Sequence, residues 1–199
     1  MPGRDSRSRD RGVHALSEVE LFIGATVALD TSFVVRALHS REDDHQECLE
    51  FLRRLVAAEA TAVFSELLPV ELVETAYKLA VIERHGRSAW PSRRLDGRVR
   101  RRASRLADDL MESWGEILTA TPYIEVPVAD AKSDLVDFMG LGLSSYDAVH
   151  ASAAVSSGAH VIATTDHGFS RVPEPVLHIA TASSRVRSYR RARARLVVS

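Results

Sequence analysis

Four acidic residues in this chain share one kind of address, at the end of a short apolar run or in the first turn of a helix that follows one. Asp30 closes Val27-Ala28-Leu29 and is followed by Thr31-Ser32. Glu71 follows Thr61-Ala62-Val63-Phe64-Ser65 and stands two residues after Pro69. Asp147 comes three residues after Ser144, and Asp166 ends Ala163-Thr164-Thr165. In an open parallel sheet, ligands sit beyond the carboxyl ends of the strands, and right-handed crossovers bring those ends to one edge. Carboxylates gathered there repel one another unless a cation lies among them. Hard oxygen donors select Mg²⁺ or Mn²⁺. Such an ion lowers the pKa of a water, orients it and neutralises charge on a phosphoryl group; two ions roughly 4 Å apart would clamp both the attacking and the leaving oxygen. The chain has no GxSxG, HExxH, GxxxxGK[ST] or GxGxxG pattern and no cysteine pair. Activated-nucleophile, zinc and nucleotide-loop chemistries therefore lack their usual residues, and direct hydrolysis by metal-activated water is the expected reaction. Each acid alone also has a structural use. Asp30 and Asp166 suit helix caps or turns, Glu71 suits a helix N-terminus, and Ser144 with Asp147 fits a capping box.

The elements that must position these acids read as alternating strands and helices. Apolar runs at 27–29, 61–65, 124–126, 160–164 and 176–179 are the expected strands. Helical spacing follows Asp30, resumes after Asp43-Asp44 (Cys48, Phe51, Leu52, Leu55), and continues from Pro69 to about Arg84. Further helices are expected over 103–118, 130–139 and 144–156. The pattern predicts an α/β fold, a parallel sheet of four to five strands with helices on both faces, in a single domain over 17–184. Residues 1–16 read as a flexible leader, Arg84–Arg105 as a basic loop or partly helical excursion outside the core, and 185–199 as a basic tail.

The net charge of −1 conceals strong segregation. Nine arginines and one aspartate lie between Arg84 and Arg105, and six arginines lie in 185–199, while the rest of 13–184 is acidic. Arginine forks match phosphate oxygens, so the basic segments, including Arg93, Arg94, Arg100, Arg101 and Arg102, are candidate RNA contacts, and Trp90 could stack on a base. No apolar run approaches the roughly 20 residues that span a bilayer. A single cysteine, Cys48, fits a reducing cytoplasm and a packing role.

Taken in order, Leu29-Asp30-Thr31-Ser32, Ser65 with Pro69-Val70-Glu71-Leu72, Leu143 through Ala151, and Thr164-Thr165-Asp166-His167-Gly168-Phe169 resemble a PIN domain, and more narrowly the VapC-type ribonuclease toxins of toxin–antitoxin pairs. The resemblance spans residues 26–182 and implies a Mg²⁺- or Mn²⁺-dependent endoribonuclease. It implies metal ligation around Asp30, Glu71, Asp147 and Asp166, with the hydroxyls of Thr31, Ser32 and Thr164 nearby. It also implies a homodimer and, for the toxin subclass, an antitoxin that blocks the acidic pocket. Two departures stand out: the extra length, and the pair His167-Gly168 where a more polar or acidic pair is common. Rival readings are an RNA-processing PIN nuclease without antitoxin, a non-catalytic RNA-binding or interaction module, and a phosphoacceptor domain. The last lacks a lysine at its strand ends, since Lys78 and Lys132 are the only lysines.

Overall fold

A computed structural model describes residues 12–90 and 92–196. Six strands form one sheet: β1 (Val13–Ala15), β2 (Thr26–Leu29), β3 (Thr61–Ser65), β4 (Tyr123–Val126), β5 (Val161–Ala163) and β6 (His178–Thr181). Their order is β1-β6-β5-β2-β3-β4, and every neighbouring pair is parallel. Seven α-helices accompany them: α1 (Thr31–Leu38), α2 (His45–Ala57), α3 (Leu68–His85), α4 (Gly97–Ala120), α5 (Lys132–Gly140), α6 (Ser145–Ser156) and α7 (Ser183–Leu196).

Strand alternation divides the core into two layers. Val27, Leu29, Ala62 and Phe64 face α1–α4 and pack with Phe33, Phe51, Leu52, Leu68, Leu72 and Trp114. Ala28, Val63, Ile162 and Ile179 face the other way, toward Phe138, Ala151, Phe169 and Tyr189. A sheet buried on both faces requires apolar residues at consecutive positions, which is why these strands read as short continuous runs. Full burial of each large side chain contributes roughly 1.5–3 kcal/mol. Phe64 adds an edge-to-face contact with Trp114 at 5.0 Å.

After β2 the chain moves outward through β3 to β4, then returns to place β5 on the other side of β2. The strand order reverses between β2 and β5, so the crevice beyond their carboxyl ends is the topological switch point. Asp30 and Asp166 follow these two strands.

The structure corrects several expectations. The sheet has six strands, not four to five. Of the leader, residues 1–11 lie outside the described residues, but Val13–Ala15 is strand β1, paired with β6 and with Val13 fully buried. A three-residue strand whose partner lies some 165 positions away leaves no local periodicity to read. The excursion 84–105 is largely helical: α3 runs to His85 and α4 starts at Gly97, capped by Asp96, whose carboxylate accepts from the amides of Arg98 and Val99. Val99 and Ala103 are buried there against Ala80 and Val81, so this segment does join the core. The basic tail is α7, with residues 197–199 outside the described set. Its inner face carries Tyr189 and Arg193, both buried; Arg193 donates to the carbonyls of Gly12 (3.2 Å) and Leu177 (2.7 Å), and Arg190 to that of Val13 (2.7 Å). Arginine stems can serve as packing surface, which composition alone does not reveal. Gly12 sits at φ +60 beneath this helix, where a Cβ would lie 2.9 Å from the Arg193 guanidinium. Among the described residues no helix is long and apolar enough to cross a membrane.

Candidate active site

Asp30 ends β2 and caps α1. Its Oδ2 accepts from the amide of Ser32 (3.2 Å), the hydroxyl of Ser32, and the hydroxyl of Thr164 (2.8 Å). Ser32 Oγ in turn accepts from the Thr165 amide at 3.0 Å, and Thr164 Oγ1 from the Asp166 amide at 3.0 Å. The hydroxyls therefore knit the end of β2 to the segment after β5 and fix one carboxylate oxygen of Asp30. Asp30 is only 3% exposed. Burial raises its pKa, and this outweighs the lowering by the charge of His150 and by the bonds from Ser32 and Thr164.

Asp147 lies in the first turn of α6. Ser144 caps that helix by accepting from the Asp147 amide (3.2 Å), and donates its hydroxyl to Asp147 Oδ2 (2.7 Å). Burial raises the Asp147 pKa, and the neighbouring charge of Asp166 raises it further against the bond from Ser144. Asp166 opens a short 3-10 turn, His167–Arg171, with Oδ1 accepting from the Gly168 amide at 2.7 Å. A Cβ on Gly168 would stand 3.1 Å from Asp166 Oδ1 and 3.4 Å from Asp147 Oδ2. The glycine leaves these two carboxylates close together, which gives the departure at this position a steric meaning.

Glu71, in the first turn of α3, is engaged differently. Its Oε2 accepts from Thr31 Oγ1 at 2.5 Å and bonds His150 Nε2 at 2.5 Å. His150 is 3% exposed and also contacts Thr31 Oγ1 (3.3 Å) and, through Nδ1, Ser65 Oγ (3.2 Å). Burial alone would lower the imidazole pKa. The bond to Glu71 and the charges of Asp30, Glu71 and Asp147 overcome it, and the net shift is upward. Burial likewise raises Glu71, but His150 and Thr31 bring its pKa below the ordinary value. His150 thus sets a basic group beneath the acids, held by Glu71 and Thr31. Its position one helical turn after Asp147 is the signal the sequence offers for this histidine.

Asp30, Thr31, Ser32, Glu71, Asp147 and Asp166 line one cleft of about 450 Å³. Thr164 lies beneath it, fully buried. Glu42, Glu74 and Tyr146 also line the cleft, as do the cations Arg36, Lys78 and Arg87. Trp90 reaches the same cleft, with the Arg94 guanidinium 5.5 Å from its ring. The other candidate arginines are dispersed. Arg102 pairs with Glu83 (3.0 Å), and Arg100 and Arg101 border a separate hollow with Tyr77. Lys78, set aside in the sequence because it lies near no strand end, borders the cleft from α3.

The donors suit a hard cation. Asp30, Asp147 and Asp166 each commit one oxygen to the hydrogen bonds above and offer a second from a different element. Among the described residues, no three His, Cys, Asp or Glu side chains converge as a ready-made metal shell. The set fits an ion that keeps several of its waters, as Mg²⁺ does, and not a closed protein cage.

A family model described as "PIN domain" matches residues 27–175. No curated protein matches the chain. Among solved structures, one similar chain comes from VapBC2 of Rickettsia felis bound to a DNA fragment from their promoter. It is 16% identical, with a TM-score of 0.43, and the match covers 78% of this chain and 98% of that chain.

Proposed function

This chain belongs to the PIN domain family, and from that membership and the acidic cleft we propose that it is a divalent-metal-dependent endoribonuclease. The observation that carries the reading is the gathering of Asp30, Asp147 and Asp166 at the switch point, with basic and aromatic side chains on the same cleft. Asp30, Asp147 and Asp166 would hold Mg²⁺ or Mn²⁺, with Glu71 assisting directly or through water. When bound, the ion supplies an activated water and neutralises charge on the scissile phosphate. Ser32 and Thr164 fix the orientation of Asp30, Ser144 fixes Asp147, and Thr31 with His150 fixes Glu71. Lys78 and Arg87 meet phosphate oxygens, and Trp90 stacks on an unpaired base, which favours single-stranded RNA over duplex.

The setting we propose is the toxin of a type II toxin–antitoxin pair, acting in a reducing cytoplasm. The motif order from Leu29 to Phe169 supports the toxin setting, and a single, buried cysteine, Cys48, supports the reducing compartment. Exposed Val136, Met139, Leu141 and Tyr146 on and after α5 support a homodimer. The alternative setting is RNA processing without an antitoxin. The test is cleavage of single-stranded RNA by wild type, by wild type with EDTA, and by Asp30→Asn. Activity confined to the first supports the reading, and equal activity in all three overturns it. A small neighbouring gene whose product silences the cleavage would support the toxin setting.

A further inference from the structure

We propose that α7 carries a phosphate rail. Arg187, Arg191 and Arg195, beside His167, bind the sugar–phosphate backbone of a single RNA strand as it leaves the cleft on the Asp166 side. The choice of RNA rests on the ribonuclease reading; the rail itself rests on how α7 divides its arginines.

Arg185, Arg190 and Arg193 are used inside the protein: Arg185 pairs with Asp44 at 2.7 Å, and the other two donate to carbonyls of the N-terminal strand region and of Leu177. Arg187, Arg191 and Arg195 are exposed and have no protein partner among the described residues. A spacing of four puts them on one face, successive side chains rising by about 6 Å. Like charges at this spacing destabilise a helix, so the row is costly unless an anion covers it. Together with His167, Ser184, Ser188 and Ala192 they line a groove of about 370 Å³.

Position links the groove to the cleft. His167 directly follows Asp166, and its ring lies 4.9 Å from that of buried Tyr189 on α7. The rail is therefore held at a fixed place relative to the acidic cluster. An acidic protein segment is the rival occupant, but protein interfaces need apolar or aromatic anchors at their centre. This groove offers guanidinium groups, hydroxyls, an imidazole and one alanine, a lining suited to a polyanionic backbone.

The test measures RNA binding by fluorescence anisotropy in the full-length chain carrying Asp30→Asn to prevent cleavage. One probe is a long single strand, and the other a short oligonucleotide that fills the cleft alone. Adding Arg187→Gln, Arg191→Gln and Arg195→Gln should weaken the long strand about tenfold or more. It should also reduce the slope of log affinity against log salt by about 2, for three phosphates lost. The short probe should bind as before, and lysine at all three positions should restore most of the loss. Unchanged affinity and slope for the long strand overturn the rail. So does equal weakening of both probes, or a loss confined to duplex DNA. If the wild-type chain cleaves no RNA while long-strand binding still depends on the three arginines, the rail stands and the ribonuclease reading falls.

Discussion

His150 Nε2 lies 2.5 Å from Glu71 Oε2, and this pair sits beneath the carboxylates of the cleft. The contact places a basic group where the fold gathers acidic ones, and a buried pair of this kind is sensitive to loss of either member. His150→Gln should lower the melting temperature of the metal-free protein and weaken Mn²⁺ binding. The corresponding changes for exposed His160 should be small.

The pair also sets a pH window. The raised pKa of His150 means its contribution is complete below the ordinary value of 6.5 and disappears as pH rises through the higher folded value. The lowered pKa of Glu71 works in the opposite sense: its contribution is complete above 4.5 and is lost as pH falls through the lower folded value. In the metal-free protein, melting temperature should therefore fall on the alkaline side of this window. His150→Gln should flatten that limb, as thermal melts across pH would show.

On the proposed reading, protons and metal would compete for the same oxygens. Burial raises the pKa values of Asp30 and Asp147, so ionising them without a cation costs stability as pH rises through the folded values. Mn²⁺ should consequently raise the melting temperature more at pH 8 than at pH 5. Equal stabilisation at both would argue that the ion binds elsewhere.

Loss of a single carboxylate should be felt in catalysis more than in folding. Asp30→Asn and Asp147→Asn should each reduce RNA cleavage by at least about 100-fold, since on the proposed reading they remove charge where the ion would be held. Circular dichroism should remain that of the wild type. Trp90→Ala should instead weaken single-stranded RNA binding by about 1–3 kcal/mol, with a smaller effect on kcat than on KM.

How far the sequence revealed this arrangement depended on distance along the chain. Asp30, Asp147 and Asp166 were legible because each follows its own strand or opens its own helix, and a parallel sheet brings such positions to one edge. The family resemblance rested on the same local pieces. For His150 only its place one turn after Asp147 was legible, not its partners, because Thr31, Ser65 and Glu71 come from three elements that only the fold brings together. Strand β1 and helix α7 were missed for a related reason. One is too short to show a period, and the other hides its inner face behind arginine composition.

Arg193 tests that last point. Arg193→Ala should cost about 2–3 kcal/mol, because its guanidinium serves two carbonyls away from solvent. Burial lowers its pKa to about 10, so it remains charged at neutral pH. Urea melts of wild type and variant would measure the difference.

Strand β1 is among the first described residues to be synthesised, yet its partner β6 and the helix that clasps it are among the last. During synthesis β1 lacks its sheet partner until β6 has been made. The turn that carries Asp166 and His167 waits with it, since α7 packs Tyr189 against His167. Synthesis through α7 thus acts as a timer: a product that stops short of it holds the early acids Asp30 and Glu71 but lacks the clasp that seats the last one.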